Sequence, residues 1–320
     1  MLTVIIATRN GSATLPRVLT AYTRLHPPPG GWKLVIVDNG SDDGSAAIAA
    51  SFANRLPLLL LDEPRRGKNR ALNRGLRELE GDLAVFSDDD TLPESDWLAR
   101  LRDAADRQPA YGVFGGRILP SWEVPPPEWV REWVRAAPVY SVSDASRADG
   151  PCEPTAVWGP NMAVRADWFR AGYRFDERLG PNGSATYAMG SETEFTLRLA
   201  LAEQVRSWHC AGARVQHIIG PRQLSRAWVL RRAFRLGRCV RRESLQRARA
   251  GHPHVARGAA AICTGLARGL VDLAAARRAA DARRVFEARW NLNLWMGCLV
   301  EAVGSRYAPQ GPVDDGGALV

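Results

Sequence analysis

Apolar and polar positions follow two rhythms in the first third of the chain. Residues 2–7 form a short run that is apolar but for Thr3, the form of a strand buried on both faces. Residues 12–25 then place Leu15, Val18, Leu19 and Tyr22 on one side of a helix. The alternation repeats, with strands at 34–37, 58–61 and 83–86 and helices at 43–54, 69–79 and 94–105. Four strand–helix pairs in succession predict an α/β fold, a Rossmann-like and mostly parallel sheet flanked by helices. Ligands of such sheets bind at the carboxyl ends of the strands, which singles out the polar segments 8–12, 38–45 and 87–90.

The rhythm loosens after residue 110. Strands are expected at 113–119, 157–165, 205–208 and 214–217, and a helix at 192–202. A loop rich in Pro and Trp occupies 122–129, and 136–155 is polar and irregular. From 224 to about 303 the pattern is helical, with Arg on most polar faces, and the tail from Pro309 is rich in Gly and Pro, the composition of a flexible end. The expected organisation is a catalytic domain over 1–220, a basic helical appendage over 221–308 and a flexible tail over 309–320.

Composition adds a division of labour. Apolar residues make up 46% of 320 positions, enough for a full core, which excludes wholesale disorder. The net charge of +9 is unevenly spread: Arg222 to Arg289 hold 17 Arg and no Lys against four acids, so the rest of the chain is net acidic. A basic region suits an anionic partner. The five cysteines contain no C-x-x-C pair, so neither a zinc site nor a disulfide framework is implied. The first ten residues read as a strand rather than a signal peptide, and no apolar run reaches the roughly 18 residues of a membrane span. The expectation is a cytoplasmic protein, at most peripheral on the inner face of the membrane.

The strongest chemical signal is Asp88-Asp89-Asp90 at a strand end. Adjacent carboxylates repel, and burying them calls for a cation. Oxygen-only ligands suit Mn2+ or Mg2+, which could bridge to a diphosphate leaving group. The competing reading is a solvated acidic turn before a helix. The second signal is Gly190-Ser191-Glu192-Thr193-Glu194, where Ser191-x-x-Glu194 reads as a capping box that gives Glu194 a structural task.

The stretches VIIATRNGSATLPRVL, VIVDNGSDDGS, GKNRALNRGLRELEGDLAVFSDDDTLPESDWL, GPNMAVR, FDERLG, GSETEFTLRL and ARVQH, taken in order over 1–217, resemble family 2 glycosyltransferases of the GT-A fold. The resemblance implies an inverting enzyme with a nucleotide-sugar donor. It implies that Thr8, Arg9 and Asn10 contact the nucleotide, Asp38 the base, and Lys68 and Arg70 the nucleotide or its phosphates. Asp88 and Asp90 match the outer acids of the D-x-D motif, Asp89 lies between them on the donor, and the last acid ligates the metal. Asn161 lies in the segment beside the donor sugar, and His217 matches a residue that reaches the diphosphate or the metal. The family's general base falls on Glu192, with Ser191 where a Glu is usual and Glu192 where an Asp is usual. That departure keeps Glu194 as the alternative base. For Asp38, an Asx-turn that opens the next helix is the competing role.

Trp122, Trp129 and Trp133 are expected on the acceptor side, where Trp faces stack on sugars. The Arg231–Arg242 stretch reads either as a helix on an anionic membrane that presents a lipid-linked acceptor or as a solvated face. Nucleic-acid binding has no helix-turn-helix, RNP or KH signature behind it. A P-loop and a G-x-G-x-x-G are both absent. The expected function is transfer from a nucleotide sugar, with a UDP-sugar as first choice, to a glycan or lipid-linked acceptor in polysaccharide or glycoconjugate synthesis. A nucleotidyltransferase and a non-catalytic nucleotide-sugar-binding scaffold are the rivals.

Overall fold

The computed structural model describes residues 1–252 and 258–304. The tail assigned to 309–320 lies outside the described residues. The elements run β1 Leu2–Thr8, α1 Leu15–Tyr22, β2 Trp32–Asp38, α2 Ser45–Ala50, β3 Leu58–Asp62, α3 Lys68–Gly75, β4 Leu83–Asp88, β5 Thr91–Pro93, α4 Trp97–Arg107 and β6 Val113–Trp122. They continue as α5 Glu128–Trp133, α6 Ala136–Tyr140, β7 Gly150–Cys152, β8 Met162–Arg165, α7 Ala166–Arg170, α8 Ser191–Glu203, β9 Ser207–Ile219, α9 Arg226–Arg249, α10 Ala259–Arg278 and α11 Ala282–Gly304.

One nine-stranded sheet has the order β3-β2-β1-β4-β8-β6-β9-β5, with β7 added to β9. The alternation along β1 explains its two covers. Leu2, Val4 and Ile6 join the core with Leu15, Val18, Leu19, Trp97 and Leu101, whereas Ile5 faces Ala71, Leu72, Phe86 and Phe195 on the other side. The first half is parallel, as expected. The second half is not: β8 is antiparallel to β4 and β6, and β9 is antiparallel to β5 and β7. The sheet is therefore mixed, although β6 and β9 run parallel to each other over their length.

Two expected strands change shape. The expected strands at 205–208 and 214–217 are parts of one strand, β9, which starts at Ser207, pairs with β6 through Cys210 and resumes at Arg214, so residues 211–213 bulge out. Of the expected 157–165 strand only Met162–Arg165 forms, because Gly159–Asn161 makes a helical turn.

The C-terminal helices are fastened in two ways. A satellite cluster joins Val130, Val139, Tyr140, Leu224, Val229 and Phe286, with Trp129, Trp133 and Trp228 packed against it. Helices α9 and α11 also cross at reciprocal glycines: a Cβ on Gly237 would lie 1.9 Å from the Leu294 carbonyl oxygen, and one on Gly297 would lie 2.0 Å from that of Phe234. Both obstacles are backbone, so neither can step aside. Gly297→Ala is accordingly expected to destabilise the protein by about 1–3 kcal/mol, read by thermal unfolding, because the helices must separate. An unchanged melting temperature would mean that α9 and α11 do not cross at these glycines.

Glu301, fully buried on α11, bonds Arg238 at 2.8 Å and also pairs with Arg242. Arg235 donates to the Ala185 carbonyl and to Tyr187. Three of the α9 arginines, Arg235, Arg238 and Arg242, are thus engaged within the protein. The apolar surface lies elsewhere. Helix α10 is, by length and composition, apolar enough to cross a membrane, with only 22% of its 18-residue window buried, contrary to the expectation that no such run exists.

Candidate functional site

Strand β1 is flanked by β2 and β4, so consecutive connections leave it in opposite directions and open a crevice at the strand ends. A cleft of about 570 Å³ occupies that crevice. It is lined by Thr8, Arg9, Lys68, Asp88, Asp89, Asp90, Glu192 and His217, eight of the residues expected from the sequence.

The turn after β1 is tied down from beneath. The Asn10, Gly11 and Ser12 N–H groups donate to Ser41 Oγ at 3.0 Å, Ser45 Oγ at 2.9 Å and Asp43 Oδ2 at 3.0 Å. None is left to cradle a phosphate. Asn10 sits at φ 54° with its Oδ1 accepting the Asp42 N–H, and Asp38 accepts from Ser41, so both side chains brace loops at the edge of the cleft rather than line it. Asn39, which the sequence reading passed over, lines the cleft and accepts the Gly67 N–H at 2.7 Å just before Lys68.

Each carboxylate of the triplet has its own partner. Lys68 Nζ donates to Asp88, Thr8 Oγ1 donates to Asp89 Oδ2 at 2.6 Å, and His217 Nε2 lies 3.2 Å from Asp90 Oδ2. His217 Nδ1 is 2.6 Å from the Tyr140 carbonyl, which only accepts, so Nδ1 carries a proton. Burial pushes Asp88 up, and burial together with Asp90 pushes Asp89 up to about 7. Burial also works to raise Asp90, but the His217 charge and hydrogen bond outweigh it and leave Asp90 below the usual carboxylate range. Burial disfavours charge on His217 and Lys68 in turn, and the acids around them reverse the direction for both.

Asp90 Oδ1 is buried with no partner. Among the described residues no three His, Cys, Asp or Glu side chains gather around one point to hold an ion by themselves. That combination fits Mg2+ or Mn2+, which take one or two carboxylates and complete their shell with water and substrate phosphates. His217 faces Asp90 here, so it steadies that carboxylate.

Glu192 enters the cleft from the first turn of α8. Gly190 precedes the helix at φ 88°, a conformation that favours glycine, and Cys239 Sγ fills the space a Cβ would need. No side chain caps this helix, so the Ser191–Glu194 capping box does not form. Glu192 Oε1 accepts the Gly159 N–H at 3.2 Å. Glu194 points away from the cleft: it is buried, bonds Arg198 Nε at 2.9 Å and accepts from Gln246 at 3.1 Å. Its structural task exists, but Arg198 and Gln246 assign it.

Two more expectations fail on direction. Asn161 is wholly buried, donates to the Arg117 and Ala213 carbonyls and accepts from Trp97 Nε1 at 2.8 Å, so it closes the core and does not line the cleft. Arg70 turns to Glu177, 3.5 Å away, and does not line the cleft. Trp129 and Trp133 pack on Phe286, and Trp122 on Tyr140, under the C-terminal helices. The aromatic lining comes instead from Trp158, Tyr187 and Trp228, with Arg232 beside them. The only sequence signal for the last pair was their spacing of four on a helix.

The family model described as Glycosyl transferase family 2 matches residues 3–192. Glycosyltransferase AglE of Haloferax volcanii is 34% identical over 100 residues, 30% of this chain and 33% of that protein. The glucosyl-dolichyl phosphate glucuronosyltransferase of the same organism is 23% identical over 206 residues, 63% of this chain and 64% of that protein. These matches therefore span less than two thirds of either relative. Among solved structures, the mannosyltransferase PcManGT from Pyrobaculum calidifontis, in complex with GDP-Man and Mn2+, superposes with a TM-score of 0.59 at 20% identity, covering 94% of this chain and 86% of that one. That likeness bears on the fold, a mixed sheet flanked by helices with further helices at the C-terminus.

Proposed function

The chain belongs to glycosyl transferase family 2, and from that membership we propose that it moves a sugar from a nucleoside-diphosphate sugar to an acceptor hydroxyl with inversion at the anomeric carbon. One observation carries the reading: an acidic triplet at the β4 end shares a cleft with Glu192, a carboxylate oriented by a backbone N–H. Thr8, Arg9 and Lys68 flank the donor, and Asp88 and Asp90 would hold Mn2+ or Mg2+, with His217 steadying Asp90. A divalent cation there would supply charge neutralisation for the departing diphosphate. Glu192 takes the proton of the acceptor hydroxyl, and that oxygen attacks the anomeric carbon as the nucleoside diphosphate leaves from the opposite face. Single displacement of this kind inverts the centre. The catalytic unit is residues 1–220, and α9 supplies the wall that completes it.

A UDP-sugar is the first choice of donor, and the GDP-Man held by the Pyrobaculum calidifontis protein puts GDP-sugars beside it. The name of the dolichyl-phosphate-linked relative supports a lipid-linked or glycan acceptor. The same reading puts the protein in the cytoplasm, at the membrane face where such an acceptor is presented. The exposed apolar α10 supports that contact better than the arginines of α9 do. The nucleotidyltransferase alternative needs free backbone N–H groups after β1 to meet a triphosphate, and those of Asn10, Gly11 and Ser12 are already bonded.

Nucleoside diphosphate release is measured over UDP-, GDP- and dTDP-sugars, with Mn2+ and with EDTA. Release from one donor that EDTA abolishes is expected. Silence across the panel, with no donor-induced thermal shift, would overturn the reading in favour of a scaffold.

A further inference from the structure

The wall of the cleft facing the strand ends is α9, and it carries a cation without a counter-charge. Trp228, Arg232, Leu236, Cys239, Val240 and Glu243 line the cleft at steps of one to four residues that fall on one helix face. Among the described residues Arg232 makes no hydrogen bond and no ion pair. Its Nε is buried without a partner, and its guanidinium meets the Trp228 ring at 5.8 Å. Its neighbours on the helix are engaged: Arg235 with the Ala185 carbonyl, Arg238 with Glu301, and Arg247 with Glu243. A guanidinium is a rigid fork whose best match is a carboxylate or a phosphate, and a partly buried one left unmatched is costly.

We propose that Arg232 recognises an oxyanion carried by the acceptor, either a phosphodiester or a sugar carboxylate. The proposal rests on the glycosyltransferase reading, because it assigns the α9 side of the cleft to the acceptor. Position supports it. Cys239 packs against Gly190, two residues before Glu192, so Cys239 marks the level of the base on α9. Arg232 lies seven residues earlier, roughly 10 Å along the helix. An acceptor whose hydroxyl meets Glu192 can set an anionic group that far away against Arg232, which the Trp228 ring, itself stacked on Tyr140, holds in place. The floor of the cleft supports it too. Glu192 and the phosphates of a bound donor repel a further anion there, so the arginine on α9 fixes which way round an anionic acceptor enters.

The test uses the full chain and the variants Arg232→Gln and Arg232→Lys. Dimethyl phosphate and methyl glucuronoside are titrated as probes by NMR, with UDP or GDP plus Mn2+ present and again without nucleotide. The wild type is expected to bind one probe. R232Q weakens that binding about tenfold or more, R232K falls between because it keeps the charge and loses the fork, and nucleotide affinity stays within about twofold, which also reports an intact fold. The preferred probe tells a phosphodiester from a carboxylate. A loss of nucleotide affinity matching the loss of probe affinity would assign Arg232 to the donor and overturn the proposal, as would probe binding that does not depend on Arg232. Failure of any nucleotide to bind would count against the transferase reading, while the titration without nucleotide still decides Arg232.

Discussion

Glu192→Gln is expected to lower sugar transfer by about 10²–10⁴-fold while leaving donor binding unchanged, the effect of removing a general base whose isosteric amide cannot accept the proton. The geometry makes the substitution clean. Glu192 sits in the first turn of α8 and takes one backbone hydrogen bond, from Gly159, which an amide oxygen can also accept. Glu194→Gln is the informative contrast. Glu194 is 4% exposed and forms the carboxylate half of a buried pair with Arg198, 6% exposed. Neutralising one member of such a pair costs about 3–5 kcal/mol, because the other charge stays buried without its counter-ion. Thermal unfolding therefore reads the Glu194 variant and turnover reads the Glu192 variant. If folded Glu194→Gln lost turnover and Glu192→Gln kept it, the two roles would have to be exchanged.

Asp90→Ala is expected to remove the Mn2+-dependent part of nucleotide binding, a loss of at least about 100-fold. Substituting a mere outer partner of a metal ligand already costs about 10–100-fold. Of the three acids, Asp90 is the one with a buried oxygen that no protein group satisfies. Asp88 is matched by Lys68, and Asp89 is matched on Oδ2 by the Thr8 hydroxyl. Calorimetric titration of the nucleoside diphosphate with and without Mn2+ reads the effect. Equal binding by the variant and the wild type in Mn2+ would remove the metal from Asp90.

Much of this site was legible in local sequence. Asp88–Asp90, Lys68, Thr8 and Glu192 are close to strand or helix ends, where the chain's own period decides which way they face, and all of them line the cleft. The direction of Asn161 is not legible there, because three distant partners, Trp97, Arg117 and Ala213, set it and no short window contains them. Glu194 is held by Arg198 and Gln246 rather than by a cap. Gln246 lies 52 positions away, on α9, where no local pattern links it to Glu194.

From the sequence alone came the succession of buried strands and amphipathic helices to residue 107, the acidic triplet and the family pattern, because each is written in neighbouring residues through a period or a fixed spacing. Only the tertiary structure decided the rest. It turned β8 antiparallel to β4, joined 207–219 into one bulged strand, took Trp129 and Trp133 out of the cleft and set α9 with Arg232 into its wall. Strand direction and the aim of a side chain depend on which remote surfaces bury each other. Burial between remote segments leaves no period in the chain, so it becomes visible only once the elements are packed.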